Sequence, residues 1–284
     1  MTAPTTTRPT RRLRELLERP GMVLAPFVYD ALQAKLAEAA GFEAVYMTGF
    51  GSAAARGYPD VGLLTLTEMV GNAHGIARAV SIPLISDADT GYGNPINVIR
   101  TVHEFEEAGA AAIHIEDQVW PKRCGFLEGK QVIPLEEMLP KVRAACAERR
   151  DPEFVIIART DALQPNGWDD AERRARAYRD AGADLVFVDG IRTLDDLDRY
   201  AKRLADLPLL YNGQLLPVPE LEARGFAVTI HMGAFGAAYR AVRDALRELR
   251  ETGQVAGGQD PRLFAEIIEL LGVPEILAQG RRYE

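Results

Sequence analysis

Three times in this chain a helical segment stops on the same phrase, alanine then glycine, and an apolar run follows at once. The three are Ala40-Gly41-Phe42-Glu43-Ala44, Ala108-Gly109-Ala110-Ala111-Ala112 and Ala181-Gly182-Ala183-Asp184-Leu185. A glycine there ends a helix in the left-handed conformation that other side chains resist. The recurrence marks a repeated strand–helix unit. From residue 20 onward, short β-branched or apolar runs at 22–25, 44–48, 84–88, 112–116, 154–158, 185–188, 209–211 and 226–230 read as strands. Between them, segments 30–40, 66–80, 97–108, 135–149, 169–181 and 194–204 place apolar residues at i, i+3 and i+4, the period of a helix packed on one face. Eight strands alternating with helices predict a closed (β/α)8 TIM barrel rather than an open doubly wound sheet, and 284 residues suit one such domain.

Composition narrows the function. A net charge of −8 gives no electrostatic footprint for nucleic acid or an anionic membrane. No apolar run approaches the roughly 18 residues of a membrane span. Two cysteines, Cys124 and Cys146, are too few for a disulfide framework, which points to a reducing cytoplasm. The Thr/Pro-rich residues 1–10 read as a disordered arm, and Arg8, Arg11, Arg12 and Arg14 as a solvated helix start rather than a targeting peptide.

Chemistry-bearing residues fall repeatedly at one offset, at or just past the C-terminal ends of the predicted strands. Thr48 ends the second strand, Asp87 and Asp89 the third, and His114 and Glu116 the fourth; Arg159 and Asp161 follow the fifth, Asp189 the sixth, Asn212 the seventh and His231 the eighth. That end is where barrel enzymes assemble their sites.

Asp87 and Asp89, two apart, share a strand face. Two converging carboxylates repel unless a cation or proton lies between them, and hard oxygen ligands suit Mg²⁺; the alternative is a pair of exposed helix-capping acids. A buried Glu116 needs a partner and fits the same metal shell, whereas His114 reads equally as a ligand-side group or a core histidine. Lys122-Arg123-Cys124-Gly125 lies in a long loop between Asp117 and Pro134. Two cations beside a thiol lower its pKa, making it a thiolate or acid catalyst, and a long loop at this face reads as a lid. Cys146 reads as a small core residue. Residues 49–54 (Gly-Phe-Gly-Ser-Ala-Ala) imitate a dinucleotide fingerprint, but the acid such a site needs ~20 residues on falls near Met69, inside a helix.

Tyr29-Asp30-Ala31-Leu32, Tyr46-Met47-Thr48-Gly49, Pro59-Asp60, Asp87-Ala88-Asp89-Thr90-Gly91-Tyr92-Gly93, His114-Ile115-Glu116-Asp117-Gln118, Pro121-Lys122-Arg123-Cys124-Gly125 and Ile157-Ala158-Arg159-Thr160-Asp161-Ala162 together resemble the isocitrate lyase/phosphoenolpyruvate mutase superfamily. The resemblance runs from about residue 20 to 250. With Leu127-Glu128-Gly129-Lys130, it is strongest to the 2-methylisocitrate lyase and carboxyphosphonoenolpyruvate mutase branches. It implies one barrel domain over residues 1–284 and a homotetramer in which neighbouring subunits exchange terminal helices, here residues 257–284. It also implies Mg²⁺, replaceable by Mn²⁺, held directly by Asp87, with Asp60, Asp89 and Glu116 acting mostly through water. Thr48 and Gly49 would hold the carboxylate of a 2-oxo acid and Arg159 an oxyanion or carboxylate, while Lys122, Arg123 and Cys124 would form a mobile catalytic loop. Tyr46, Asp60, His114, Asp189, Asn212 and His231 complete the expected substrate site.

The implied reaction is Mg²⁺-dependent carbon–carbon cleavage of a 2-hydroxy di- or tricarboxylate, giving a 2-oxo acid and a carboxylate through an enolate. This chain departs from the pattern at Phe126, where lyases carry histidine, and at Asp189, where many members carry Glu. It departs again at the shortened 213–217 segment and at His231, where relatives often have Tyr. Phosphorus–carbon chemistry, oxaloacetate hydrolysis or decarboxylation, and non-catalytic dicarboxylate binding are the rival readings.

Overall fold

In chain order the elements are α1 (Pro9–Glu18), β1 (Val23–Val28), α2 (Ala31–Ala39), β2 (Val45–Met47), α3 (Gly49–Ala55), α4 (Leu66–Ala77), β3 (Leu84–Asp87) and α5 (Pro95–Glu107). Then come β4 (Ala112–Glu116), α6 (Leu135–Glu148), β5 (Val155–Thr160), α7 (Leu163–Asn166), α8 (Trp168–Asp180), β6 (Leu185–Val188) and α9 (Leu194–Arg203). The last are β7 (Leu209–Asn212), α10 (Val218–Glu222), β8 (Phe226–His231), α11 (Gly233–Thr252), α12 (Pro261–Leu270) and α13 (Val273–Gly280). In this computed structural model, which describes residues 7–258 and 260–284, all eight strands are parallel and close into a barrel in sequence order, β8 pairing with β1. The expected (β/α)8 barrel is present. The helix-ending glycines behave as their chemistry predicts, Gly41, Gly109 and Gly182 having φ of 88°, 91° and 108°.

The barrel wall sorts its residues by parity. Along each strand one set points inward, including Ala25, Phe27, Tyr46, Ile85, Ile157, Phe187 and Ile230. The other set, including Met47, Leu84, Ile113, Ile156 and Val186, packs against the helices.

The arm expected over residues 1–10 needs correction at its end. Residues 1–6 lie outside the described residues, but α1 starts at Pro9, and Thr10 is buried with its hydroxyl donating to Asp151 at 2.8 Å. Leu13 and Leu16 of α1 join the inner core. Arg14, expected to be solvated, donates to the Phe154 carbonyl and to Asp184 at 3.1 and 2.8 Å, just ahead of β5 and β6. The helix thus stoppers the N-terminal end of the barrel and leaves the opposite end for the site.

Candidate active site

The inward parity positions at the C-terminal ends of β2 to β7 carry Tyr46, Asp87, His114, Glu116, Arg159 and Asn212, with Thr48 and Asp189 one step beyond β2 and β6. Thr48 N-caps α3, accepting from the Gly51 amide. That brings the Gly49 amide to Asp87 Oδ2 at 3.1 Å. The approach is so close that a Cβ on Gly49 would sit 2.4 Å from the same oxygen. The Gly49 N–H, expected to bind substrate, is therefore engaged by Asp87. Asp87 Oδ1 accepts from the Asp89 amide at 2.9 Å, which needs the left-handed turn at Asp89, φ 46°.

Behind Asp87, the Tyr46 hydroxyl and His114 Nε2 lie 2.7 Å apart, and His114 Nε2 is 3.5 Å from Asp87 Oδ1. Burial drives His114 down to about 4, so it is a neutral imidazole that positions Asp87, not a residue of the cavity wall. Burial, with Asp87 alongside, raises Asp89 to about 6 against the opposing pull of Lys122.

The Cys124 loop folds back over this end, tied down by an isolated bridge between Gln118 and Val132. Lys122 pairs with Asp60 and lies 2.9 Å from Asp89. Gln118 holds both sides of the closure: its amide nitrogen donates to Glu116 Oε1 and to the Arg123 carbonyl, each at 2.9 Å, and its oxygen accepts from the Arg123 amide. The Cys124 amide donates to the Asp60 carbonyl at 3.0 Å. Arg159 forms a fork with Asp161 at 2.9 and 3.0 Å and also meets Glu116 at 3.2 Å and Asp189 at 3.1 Å. Lys130, from the same loop, bridges Asp161 and Asp189 at 2.8 and 3.0 Å. Asp161, Lys130 and Gln118 were not among the candidate site residues. Asp161 stood in the strand-end pattern, but the other two enter only through the folded loop.

One small cavity, about 30 Å³, remains beneath the loop. Its polar wall is Tyr46, Thr48, Asp60, Asp87, Lys122, Arg159, Asp189 and Asn212, with Cys124 and Gly125 overhead and Phe27, Phe50 and Phe126 as aromatic wall. Ligand pockets run to roughly 300–1,000 Å³, so the loop is closed and must lift to admit a substrate.

Three expectations are overturned. His231 follows the inward-facing Ile230, so parity turns it out of the barrel, to the apolar groove between α2 and α11. Arg123 is exposed and donates to the Glu128 carbonyl at 3.0 Å, along the loop rather than into the cavity. Lys122 lowers the Cys124 thiol as expected, but burial outweighs it and pushes the thiol up to about 11. Under the closed loop, burial favours the protonated thiol over the thiolate.

The residues also bear on a metal. Within this cluster six carboxyl groups (Asp60, Asp87, Asp89, Glu116, Asp161, Asp189) face three cations (Lys122, Lys130, Arg159), every side chain at most 9% exposed. Asp89 Oδ1 meets the Lys122 ammonium at 2.9 Å, so the surplus of carboxylates over cations, rather than a bare oxygen, is what leaves room for a further cation. No group of three or more candidate ligands converges on one point among the described residues. Mg²⁺, which takes one or two carboxylates and keeps several waters, suits an oxygen donor set of this kind. Asp87 and Asp60 reach the cavity; Asp89 and Glu116 lie behind it.

Residues 13–250 match the sequence family described as phosphoenolpyruvate phosphomutase. A 2,3-dimethylmalate lyase of Eubacterium barkeri is 42% identical over 280 residues, spanning 96% of this chain and 97% of the relative. A 2-methylisocitrate lyase of Aeropyrum pernix is 43% identical, spanning 87% and 81%. Among solved structures, oxaloacetate acetylhydrolase bound to 3,3-difluorooxalacetate superposes with a TM-score of 0.91 at 39% identity, covering 98% of each chain. Phosphonopyruvate hydrolase bound to oxalate and Mg²⁺ gives 0.89 at 34%, covering 98% and 99%. Sequence and fold agree: this chain belongs to the phosphoenolpyruvate phosphomutase family, within the PEP mutase/isocitrate lyase superfamily.

Proposed function

We propose that this protein is a Mg²⁺-dependent carbon–carbon lyase that cleaves a 2-hydroxy di- or tricarboxylate, of the alkylmalate or 2-methylisocitrate kind, to a 2-oxo acid and a carboxylate. The observation that carries the reading is a buried thiol, Cys124, sharing one closed cavity with Arg159 and Asp87. The lyase names of the relatives at 42% and 43% identity support it.

Asp87 would hold the ion directly, with Asp60, Asp89 and Glu116 acting through water; Mn²⁺ suits the same oxygen donors. When bound, the ion makes the substrate hydroxyl more acidic and favours the carbonyl that replaces it. Arg159, its guanidinium fixed by Asp161, Glu116 and Asp189, presents a preorganised cation to the carboxylate on which charge gathers as the carbon–carbon bond breaks. Thr48, whose hydroxyl accepts from the Gly51 amide, and Asn212 line the same cavity and orient the 2-oxo acid half. Cys124 Sγ–H then gives its proton to the carbanion carbon. A thiol near 11 suits this step, since it stays protonated until a strong base forms beside it. Lys122, held by Asp60 and Asp89, closes the cavity and excludes water.

Phe126 favours a second reading. It puts an apolar ring, 60% exposed, where no proton relay is possible; phosphonate or oxaloacetate cleavage at the same site is the rival. The deciding experiment incubates the protein and Mg²⁺ with alkylmalates and 2-methylisocitrate, with phosphonopyruvate, and with oxaloacetate. It traps 2-oxo acid as its hydrazone, follows phosphate by phosphorus NMR and measures oxalate. We expect 2-oxo acid from the first group, lost with EDTA and reduced by orders of magnitude in Cys124→Ser.

The reading extends to assembly. The helices α11, α12 and α13 bury none of their residues, and Tyr239, Leu246, Phe264 and Ile276 stand exposed. We propose that this segment, residues 257–284 included, packs on other copies in a homotetramer, which light scattering after gel filtration would test. No described helix is long and apolar enough to cross a membrane, and both cysteines are free, in keeping with cytoplasmic work on a small-molecule substrate.

A further inference from the structure

A second cavity, about 530 Å³, opens at the same end of the barrel and shares none of its lining residues with the cavity under Cys124. Into it points Lys141 of α6. This lysine is 5% exposed, yet its ammonium makes no hydrogen bond and no ion pair with any described residue. Thr90 lines the same cavity, is 3% exposed, and its hydroxyl likewise has no partner among the described residues. A buried ammonium with no carboxylate within ion-pair distance is costly. Glu137, one turn earlier on α6, is the obvious candidate partner but stays exposed and unpaired with it. Burial accordingly pulls Lys141 below the ordinary lysine range. The catalytic reading uses neither Lys141 nor Thr90.

We propose that this cavity is a binding site for a small monocarboxylate, whose carboxylate sits between Lys141 and Thr90 and whose short apolar tail lies against Leu64, Trp120 and Ile133. One ammonium is a point charge with three donors, enough for one carboxylate beside one hydroxyl. Glu137 lines the same cavity, so the single ammonium offers too little net positive charge for a doubly charged anion such as phosphate. The site also touches the catalytic machinery indirectly. Tyr92 lines it and donates to Asp89 Oδ2 at 3.4 Å; Gln118 lines it and fastens the Cys124 loop to Glu116. An occupant therefore contacts the root of the lid, and coupling between the two sites must be reciprocal.

The test titrates the full-length protein, without added metal, with propionate and separately with inorganic phosphate, using sodium chloride to match ionic strength and calorimetry or ligand-observed NMR as readout. Turnover plays no part; since the lyase reading also releases a carboxylate at the Cys124 cavity, the site is assigned by Lys141→Met and by protection of Lys141, a residue that cavity does not contain. Propionate should bind saturably to the unaltered chain and to Asp87→Asn alike, and about tenfold or more weakly to Lys141→Met, the loss expected when a charge-assisted hydrogen bond is removed. On the unaltered chain, propionate should also protect Lys141 from acetylation by an activated ester, read by peptide mass spectrometry over the same concentration range. This second measurement stands even if Lys141→Met fails to fold. No saturable binding, equal binding to Lys141→Met, loss of binding in Asp87→Asn, tighter binding of phosphate than propionate, or no protection of Lys141 would each overturn the proposal.

Discussion

Replacing Gly125 by alanine should hold the catalytic lid open. A Cβ at this position would lie 2.2 Å from Asp189 Oδ2 and 2.9 Å from the Arg159 guanidinium. Neither neighbour is free to give way. Asp189 Oδ2 is gripped by Lys130 at 3.0 Å and Arg159 at 3.1 Å, and Arg159 is itself forked onto Asp161. Reaching an ordinary contact requires a shift of about 1 Å in a buried ionic network or an equal lift of the loop, and overpacking of this kind costs roughly 1–3 kcal/mol. If the loop lifts, that energy weights the closed state down by a factor of roughly 5 to 150. Two assays read it. The specificity constant kcat/KM should fall by a comparable factor. Labelling of Cys124 by a small disulfide reagent, slow while the thiol is 8% exposed and held near 11, should accelerate. Slower turnover without faster labelling would mean that the Arg159–Asp189 pair had broken instead. Unchanged kcat/KM together with unchanged labelling would refute the closed-lid geometry.

Three further outcomes follow from the same structure. His114 is neutral in the fold, down at about 4 from 6.5, so the unfolded chain takes up the proton first as pH falls. That part of the stability is fully present above pH 6.5 and is lost on acidification toward 4, on the order of 3 kcal/mol. The pH slope of urea stability should therefore flatten in His114→Asn, and an identical slope would contradict it. Leu13→Ala unstoppers the barrel floor and should cost roughly 2–5 kcal/mol in denaturant unfolding; a loss under about 1 kcal/mol would show that α1 is not part of the inner core. Asp87→Asn should weaken Mg²⁺ binding by calorimetry at least about tenfold while the fold survives, and unchanged affinity would remove Asp87 from the metal.

The sequence made the barrel legible because its signals are local. A glycine that must adopt positive φ marks each helix end it closes, and apolar runs of strand length admit few other readings. The acids and the arginine at strand ends were legible for the same reason, since one offset recurs along the chain. What was misread depended on direction rather than position. His231 sits at the right offset but at the wrong parity, and counting by two from Ile230 would have turned it outward. Arg123 and Cys124 were read from charge in sequence, whereas the thiol answers to burial beneath a folded loop, and the Arg123 side chain runs along that loop to Glu128. Lys130 and Gln118 could not be placed at all without the closure that brings them to Asp161, Asp189 and Glu116. The short α3 was hidden because Gly-Phe-Gly-Ser-Ala-Ala lacks any helical stripe; the Thr48 cap organises it.

The central claim is that a protonated Cys124 completes a Mg²⁺-assisted carbon–carbon cleavage. Its most direct test is single-turnover cleavage of an alkylmalate in deuterium oxide, comparing the unaltered protein with Cys124→Ser and scoring the carboxylate product for deuterium at the former bond carbon. The account predicts one deuterium placed with a single stereochemistry by the unaltered protein, and no stereocontrolled product from Cys124→Ser at intact Mg²⁺ affinity. Equal rates and equal stereochemistry in both proteins, or release of 2-oxo acid from phosphonopyruvate alone, would contradict it.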